Sequence, residues 1–317
     1  MAPHAFVITA RDVAILASLA DVRYLTVAHL QWLHWAERWR EAARAARADE
    51  PTSRRPKKAY ERAAGLTTRG LVVTIRRSVD RATTVYRRLP DCLSLTRAGA
   101  ELLACHYGLA LDELWYYERA TRAAAMLEHS LAIGAFYAAL RAELEYRGRA
   151  LTGWAGDHVL CTDYDSVAVA GVGHPLPIIP DATFALDGQR YFVEIDRGTT
   201  RIEQWRKKAL AYDAYGRDPR LHARYGVQTC TILVVAPVGP RLEAIARTVA
   251  SVHQGLAPSY RFLSEERVHP LRIRRRWQRM EHVTLPPPGQ SGAEHALPRV
   301  TLTDDVLWMP QPGEQTS

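Results

Sequence analysis

The chain has 317 residues, of which 47% are apolar and 24% charged, enough for two soluble domains with cores of their own. No run approaches the roughly 18 to 20 continuous apolar residues of a membrane helix, and Met1-Ala-Pro-His-Ala-Phe-Val7 lacks the charged and apolar regions of a signal peptide, so a cytoplasmic protein with no membrane partner is expected. The net charge of +8 is uneven: residues 1–150 hold 23 Lys/Arg against 16 Asp/Glu, residues 151–317 hold 19 against 18, and residues 54–88 alone hold 11 against two. A cluster of one sign on that scale points to a polyanion partner, with a solvated basic face as the plain alternative.

Cys92, Cys105, Cys161 and Cys230 are far apart and form no C-x-x-C pair, which argues against a disulfide framework or a zinc module. In chain order, Thr9 caps a helix over 9–20 with Val13, Leu16 and Leu19 on one face, and Thr26 opens a second carrying Val27, Leu30, Leu33 and His34. Residues 41–58 read as a helical extension and then a loop broken by Pro51 and Pro56. Lys57–Thr68 is the third helix, with Lys57, Lys58, Arg62 and Arg69 near one polar surface, and Gly70 ends it. Leu71–Arg76 and Thr83–Leu89 are β-prone runs around a polar turn at Asp80, a hairpin bearing Arg76, Arg77, Arg81, Arg87 and Arg88. Three helices and a basic two-stranded wing predict a winged helix-turn-helix, its third helix in the major groove and its wing on phosphates.

Helix resumes at Leu95-Thr-Arg-Ala-Gly99, and a long helix over about 112–147 links the two halves; its Trp115, Tyr116, Tyr117, Phe136 and Tyr137 read as packing residues and its His129 as structural. The second half reads as α/β. Asp157 begins or follows a helix, Ser166–Ala170 is a weak strand, and Ile178–Leu186 and Tyr191–Asp196 are strands joined at Asp187-Gly188. Thr200 caps a helix to about Tyr215, Cys230–Ala236 is a buried strand, and a helix spans 240–254. Arg272, Arg274 and Arg276 alternate as on one strand face, either a second phosphate contact or a charged edge. Val172-Gly173-His174 and Pro237-Val-Gly239-Pro are isolated turns, not a phosphate-cradling loop, so ATP use is not expected.

One constellation points to chemistry. Asp181 follows Pro180 at the start of one strand, and Glu194 and Asp196 share a face of the next. Carboxylates at adjoining strand ends suit Mg2+ or Mn2+, which activates water and offsets phosphate charge. Lys207 and Lys208 follow on the next helix, and Asp157 adds a further acid. Turn and surface acids are the plain alternative.

The order of acid, Pro-Asp strand, Glu strand and Lys helix resembles the PD-(D/E)xK restriction-endonuclease-like superfamily. The whole chain over about 9–240 resembles the plasmid replication-relaxation family, on Gly70-Leu-Val, Leu95-Thr-Arg-Ala-Gly, His129, Pro180-Asp181, Glu194-Ile-Asp-Arg-Gly-Thr199 and Lys208-Ala-Leu-Ala-Tyr212. The resemblance implies a winged helix (1–110), a linking helix (111–150), a nuclease-like mixed sheet flanked by helices (151–285) and a Pro-rich tail (286–317). It implies Asp181 and Glu194 as metal ligands, Asp157 as a helix-borne acid, and double-stranded DNA of a plasmid or mobile-element origin as substrate. A second copy of the chain and replication or transfer proteins are further candidate partners. Asp196 stands where the superfamily usually has Lys. Either Lys208 takes that role and Asp196 adds a ligand, giving a metal-dependent nickase or relaxase, or the fold is a non-catalytic replication or transcription factor.

Overall fold

The structure is a computed structural model that describes residues 7–36, 57–77, 90–119, 123–253, 258–270, 273, 277–284 and 299–305. It is mixed α/β and divides into two compact units, 1–142 and 143–317.

In the first unit, α1 (Ala10–Val22) starts at Thr9, whose backbone N–H and hydroxyl both donate to the Asp12 carboxylate, at 2.6 and 2.7 Å. Ile15, Leu16 and Leu19 form its buried stripe. Next come β1 (Leu25–Thr26) and α2 (Val27–His34), capped by the Thr26 hydroxyl accepting from the His29 N–H at 3.3 Å. The third helix, α3 (Lys57–Thr68), buries Ala59, Ala63 and Leu66 at helical spacing and leaves Lys57, Lys58 and Tyr60 exposed.

The strand that pairs with β2 (Val72–Ile75) is β3 (Cys92–Leu95), so the sheet order is β1-β3-β2, all antiparallel. The run expected there, Thr83–Leu89, lies outside the described residues, as do Arg81, Arg87, Arg88 and most of residues 41–58. Sequence alternation alone could not register Cys92–Leu95 as a strand because all four of its residues are buried. After it, Thr96 caps α4 (Arg97–Tyr107). Residues 111–119 form two 3-10 turns, and the long α5 (Ala123–Tyr146) begins later than periodicity suggested. Two glycines explain motifs of this unit. A Cβ on Gly99 would lie 2.2 Å from the Leu71 carbonyl oxygen, and one on Gly134 2.3 Å from that of Tyr24, so only glycine lets α4 and α5 approach these backbones.

In the second unit, β4 (Thr152–Gly156) runs into α6 (Asp157–Leu160), a single turn. Asp157 therefore begins a helical turn, directly after a strand. A small hairpin follows, β5 (Asp165–Val167) with β6 (Leu176–Ile178). The expected single strand over 178–186 is broken: Ile178 ends β6, and β7 (Ala182–Leu186) belongs to the main sheet. Pro180, with no N–H to donate, falls at the break. Asp187 and Gly188, with φ of 53° and 74°, turn β7 into β8 (Gln189–Ile195) as a two-residue hairpin.

The chain continues through α7 (Ile202–Tyr215, first residue after Arg201 and not Thr200), α8 (Pro219–Tyr225), β9 (Cys230–Ala236), α9 (Pro240–Val252), β10 (Ser259–Ser264), β11 (Trp277–Thr284) and β12 (Arg299–Asp305). The seven strands run β12-β11-β10-β9-β8-β7-β4, with β8, β9 and β10 mutually parallel and the other pairings antiparallel. The last strand, β12, lies within the stretch expected as a tail, whereas Arg272, Arg274 and Arg276 lie outside the described residues. Phe192, Ile232, Val234 and Phe262 of the parallel strands join Trp205, Tyr215, Ile245 and Val249 of α7 and α9 in one core. Among the described residues no helix is long and apolar enough to cross a membrane.

Candidate functional site

Strand parity builds the site. In β8 and just beyond it, Phe192, Glu194 and Asp196 face α7, which answers with a stripe at spacings of three and four: Trp205, Lys208, Tyr212 and Tyr215. Phe192 packs on Tyr212 and Tyr215, with ring centroids 6.0 and 6.2 Å away. Glu194, 1% exposed, accepts from the Lys208 ammonium at Oε2 and from the Tyr212 hydroxyl at Oε1, 2.5 Å away.

Burial pushes the Glu194 carboxyl upward; Lys208 works against that rise and Asp181 adds to it, and the net direction is up. For Lys208 burial opposes the charge, but the carboxylates of Glu194 and Asp181 outweigh it and hold the ammonium firmly protonated. Tyr212 is held well above the usual phenol range by its burial and by Glu194, so it stays a donor.

The two strand acids are cross-strand neighbours. Ala182 pairs with Val193, the Asp181 N–H donates to the Val193 carbonyl at 2.9 Å, and Asp181 Oδ2 accepts from the Ile195 N–H at 2.6 Å. The next row places Asp157 at the same sheet end, since Gly156 pairs with Ala182. Asp157 lies 3.8 Å from the His158 ring. Among the described residues no three His, Cys, Asp or Glu side chains are grouped to hold a metal ion. The oxygens that a cation would need here already have internal donors, Lys208 and Tyr212 on Glu194 and the Ile195 N–H on Asp181 Oδ2.

Asp196 has other work. Its buried carboxylate accepts from Arg241 through two nitrogens, from the Trp205 indole N–H and from the Gly198 N–H. Arg241 also donates to the Thr200 carbonyl, so this cluster ties the loop after β8 to the start of α9. Gly198, at φ 81°, supplies the left-handed residue that the loop requires. Tyr212 is marked in the sequence only as the end of the Lys208-Ala-Leu-Ala-Tyr212 motif, and Trp205 and Arg241 do not stand out as site residues. The stripe at 205, 208, 212 and 215 was the available signal for the first two, whereas nothing local marks Arg241.

A cavity of about 320 Å3 opens beside Glu194, between β6 and α7. Leu176, Ile178, Ala211 and Tyr212 form its walls, and His174, Gln204 and Lys207 are exposed at its rim.

The basic residues of the first unit divide into two groups. Arg62 grips the buried Asp12 carboxylate with two nitrogens and donates to the Val7 carbonyl at 2.8 Å. Arg77 pairs in the same two-pronged way with Glu128 and is 10% exposed. Both guanidiniums are thus engaged in internal ion pairs. Lys57, Lys58, Arg69 and Arg76 are exposed, with Lys57 3.7 Å from Glu61 and Arg69 donating to the Gly65 carbonyl at 3.1 Å.

The family model for replication-relaxation proteins matches residues 16–231, which takes in the first unit from residue 16 onward and Asp181, Glu194, Asp196 and Lys208. The chain belongs to the replication-relaxation family. Membership ties it to a role in plasmid replication or mobilisation. No curated protein and no solved structure matches it at a significant level.

Proposed function

We propose that this replication-relaxation protein is a metal-dependent DNA nickase, with a winged helix that binds the origin duplex and a PD-(D/E)xK-like second unit that cuts one strand. The observation that carries the reading is the meeting of Asp181, Glu194 and Lys208 at one sheet end beside a cavity, with Lys208 arriving from the following helix. That arrangement supports a lysine displaced from the usual position, which Asp196 occupies, onto α7.

In this mechanism Asp181 and Glu194 would hold Mg2+ or Mn2+, which supplies an activated water and charge neutralisation when bound. Lys208 keeps a permanent positive charge where phosphate charge builds up. Tyr212 fixes the Glu194 carboxylate, and the Asp196–Arg241–Trp205 cluster holds the loop beside it. In the first unit, Lys57, Lys58, Arg69 and Arg76 supply exposed phosphate or base contacts, joined by Arg81, Arg87 and Arg88 of the basic segment.

A supercoiled plasmid carrying the element's own origin should become open circular only with Mg2+ or Mn2+. Asp181→Asn and Glu194→Gln should abolish nicking, and Lys208→Ala should slow it about 100-fold or more, all three with DNA affinity kept. Equal nicking by parent and variants would refute the assignment. One observation favours a second reading, a non-catalytic replication factor: both Glu194 oxygens already have internal donors. That reading predicts sequence-specific binding and no metal-dependent change in topology.

A further inference from the structure

We infer that the cavity beside Glu194 receives one unpaired nucleotide, so that this site acts on a locally melted strand and not on closed duplex. The inference rests on the nickase reading, and it concerns which form of DNA the site accepts.

Access is the first argument. Glu194, 1% exposed, and Lys208 both form part of the cavity lining, so a phosphate that approaches the Lys208 ammonium from this side has to enter the cavity. A phosphate in a closed duplex is held on the outside of a stacked double helix and does not enter a space of about 320 Å3. That volume is at the small end of the range of roughly 300–1,000 Å3 that encloses a compact organic ligand, which suits a single nucleotide.

The lining is the second argument. Leu176 and Ile178 on β6 and Ala211 on α7 present apolar walls, against which the flat face of a base gains contact area. At the rim, the Gln204 amide offers both a donor and an acceptor to a base edge, and Lys207 offers a cation to the backbone. An apolar slot with an exposed amide and cation at its mouth and the Glu194–Lys208 pair in its lining fits an amphipathic anion. Extruding a base costs least where the strand is already unpaired, and negative supercoiling at an origin favours that state.

The test is binding of the full chain in EDTA, where no cleavage occurs, to fluorescent oligonucleotides of one sequence. One is fully paired, and the other carries a five-nucleotide unpaired bubble. The bubble should bind at least 10-fold tighter. Lys207→Glu, an exposed change at the rim, and Ala211→Leu, which fills the cavity, should each cut that preference to under threefold with duplex affinity unchanged. Should Ala211→Leu fail to fold, Lys207→Glu with Gln204→Ala decides alone.

Equal affinity for bubble and duplex in the parent, or a preference that survives these variants, overturns the inference. So does tight binding of free deoxynucleoside monophosphates without any bubble preference, which would mark a small-molecule site. The two readings fail separately. Nicking that no longer depends on Asp181, with a persistent bubble preference, sinks the nickase reading, whereas metal-dependent nicking without bubble preference sinks only this inference.

Discussion

Replacing Arg241 with alanine tests whether Asp196 is a structural keystone or a cation ligand. The Asp196 side chain is fully buried, and Arg241 is 21% exposed. Removing one member of a buried ion pair leaves an uncompensated charge and typically costs about 3–5 kcal/mol. The Trp205 indole and the Gly198 N–H still donate to Asp196 in the variant, so the loss should fall near the lower end, about 3 kcal/mol. For a unit of this size each kcal/mol moves Tm by roughly 2–4 °C, which gives a fall of about 6–12 °C in calorimetry.

Neutralising the stranded charge should recover part of the loss. Arg241→Ala with Asp196→Asn is expected to be more stable than the sum of the single variants predicts, by about 1 kcal/mol or more. Mg2+ should shift Tm equally in the parent and in Asp196→Asn. A Tm for Arg241→Ala within about 2 °C of the parent would refute the keystone argument. An Mg2+-dependent shift that disappears in Asp196→Asn would instead make Asp196 a ligand.

Two further outcomes separate fold from binding in the first unit. Arg62→Ala should destabilise it by about 3 kcal/mol, because the buried Asp12 loses its charge partner. Lys58→Ala with Arg76→Ala should leave stability intact, weaken binding to all DNA sequences and lower the salt slope by about 0.9 for each phosphate no longer neutralised. Identical melting of Arg62→Ala and parent would contradict this division. His29 sets an acid limit. Its Nδ1 accepts from the Thr26 N–H at 3.3 Å, so the ring must be neutral, and burial with help from nearby Arg77 lowers it from 6.5 to about 4. The folded value lies below the unfolded one, so the contribution is complete above pH 6.5 and is lost as pH falls towards about 4. At pH 5 the loss is about 2 kcal/mol. His34, lowered by burial from 6.5 to about 3, loses stability in parent and variant alike, so urea unfolding at pH 7.5 and pH 5 should show the parent losing about 2 kcal/mol more than His29→Gln, and equal losses would disprove the assignment.

Much of the candidate site was legible because its signals are local. Strand parity put Glu194 and Asp196 on one face, and the Asp187-Gly188 turn fixed where Asp181 would lie relative to Glu194. Strand parity did not distinguish Glu194 from Asp196, because the Arg241 guanidinium that pairs with Asp196 is distant in sequence. Arg62 and Arg77 carried the same ambiguity. A basic residue on a predicted binding surface looks alike in sequence whether its partner is a phosphate or a buried carboxylate 50 residues away, as for Arg62 and Asp12.

Sequence by itself determined the two-part organisation, most helices, the β7–β8 hairpin and the row of acids, all of which follow from periodicity, caps and turn residues acting over a few positions. Tertiary structure alone decided that Cys92–Leu95 is the pairing strand of the first sheet, that β12 extends the second, and that Lys208 and Tyr212 close on Glu194. Those outcomes depend on long-range strand pairing and on desolvation of charges, and neither leaves a mark in the residues near the chain position where it acts.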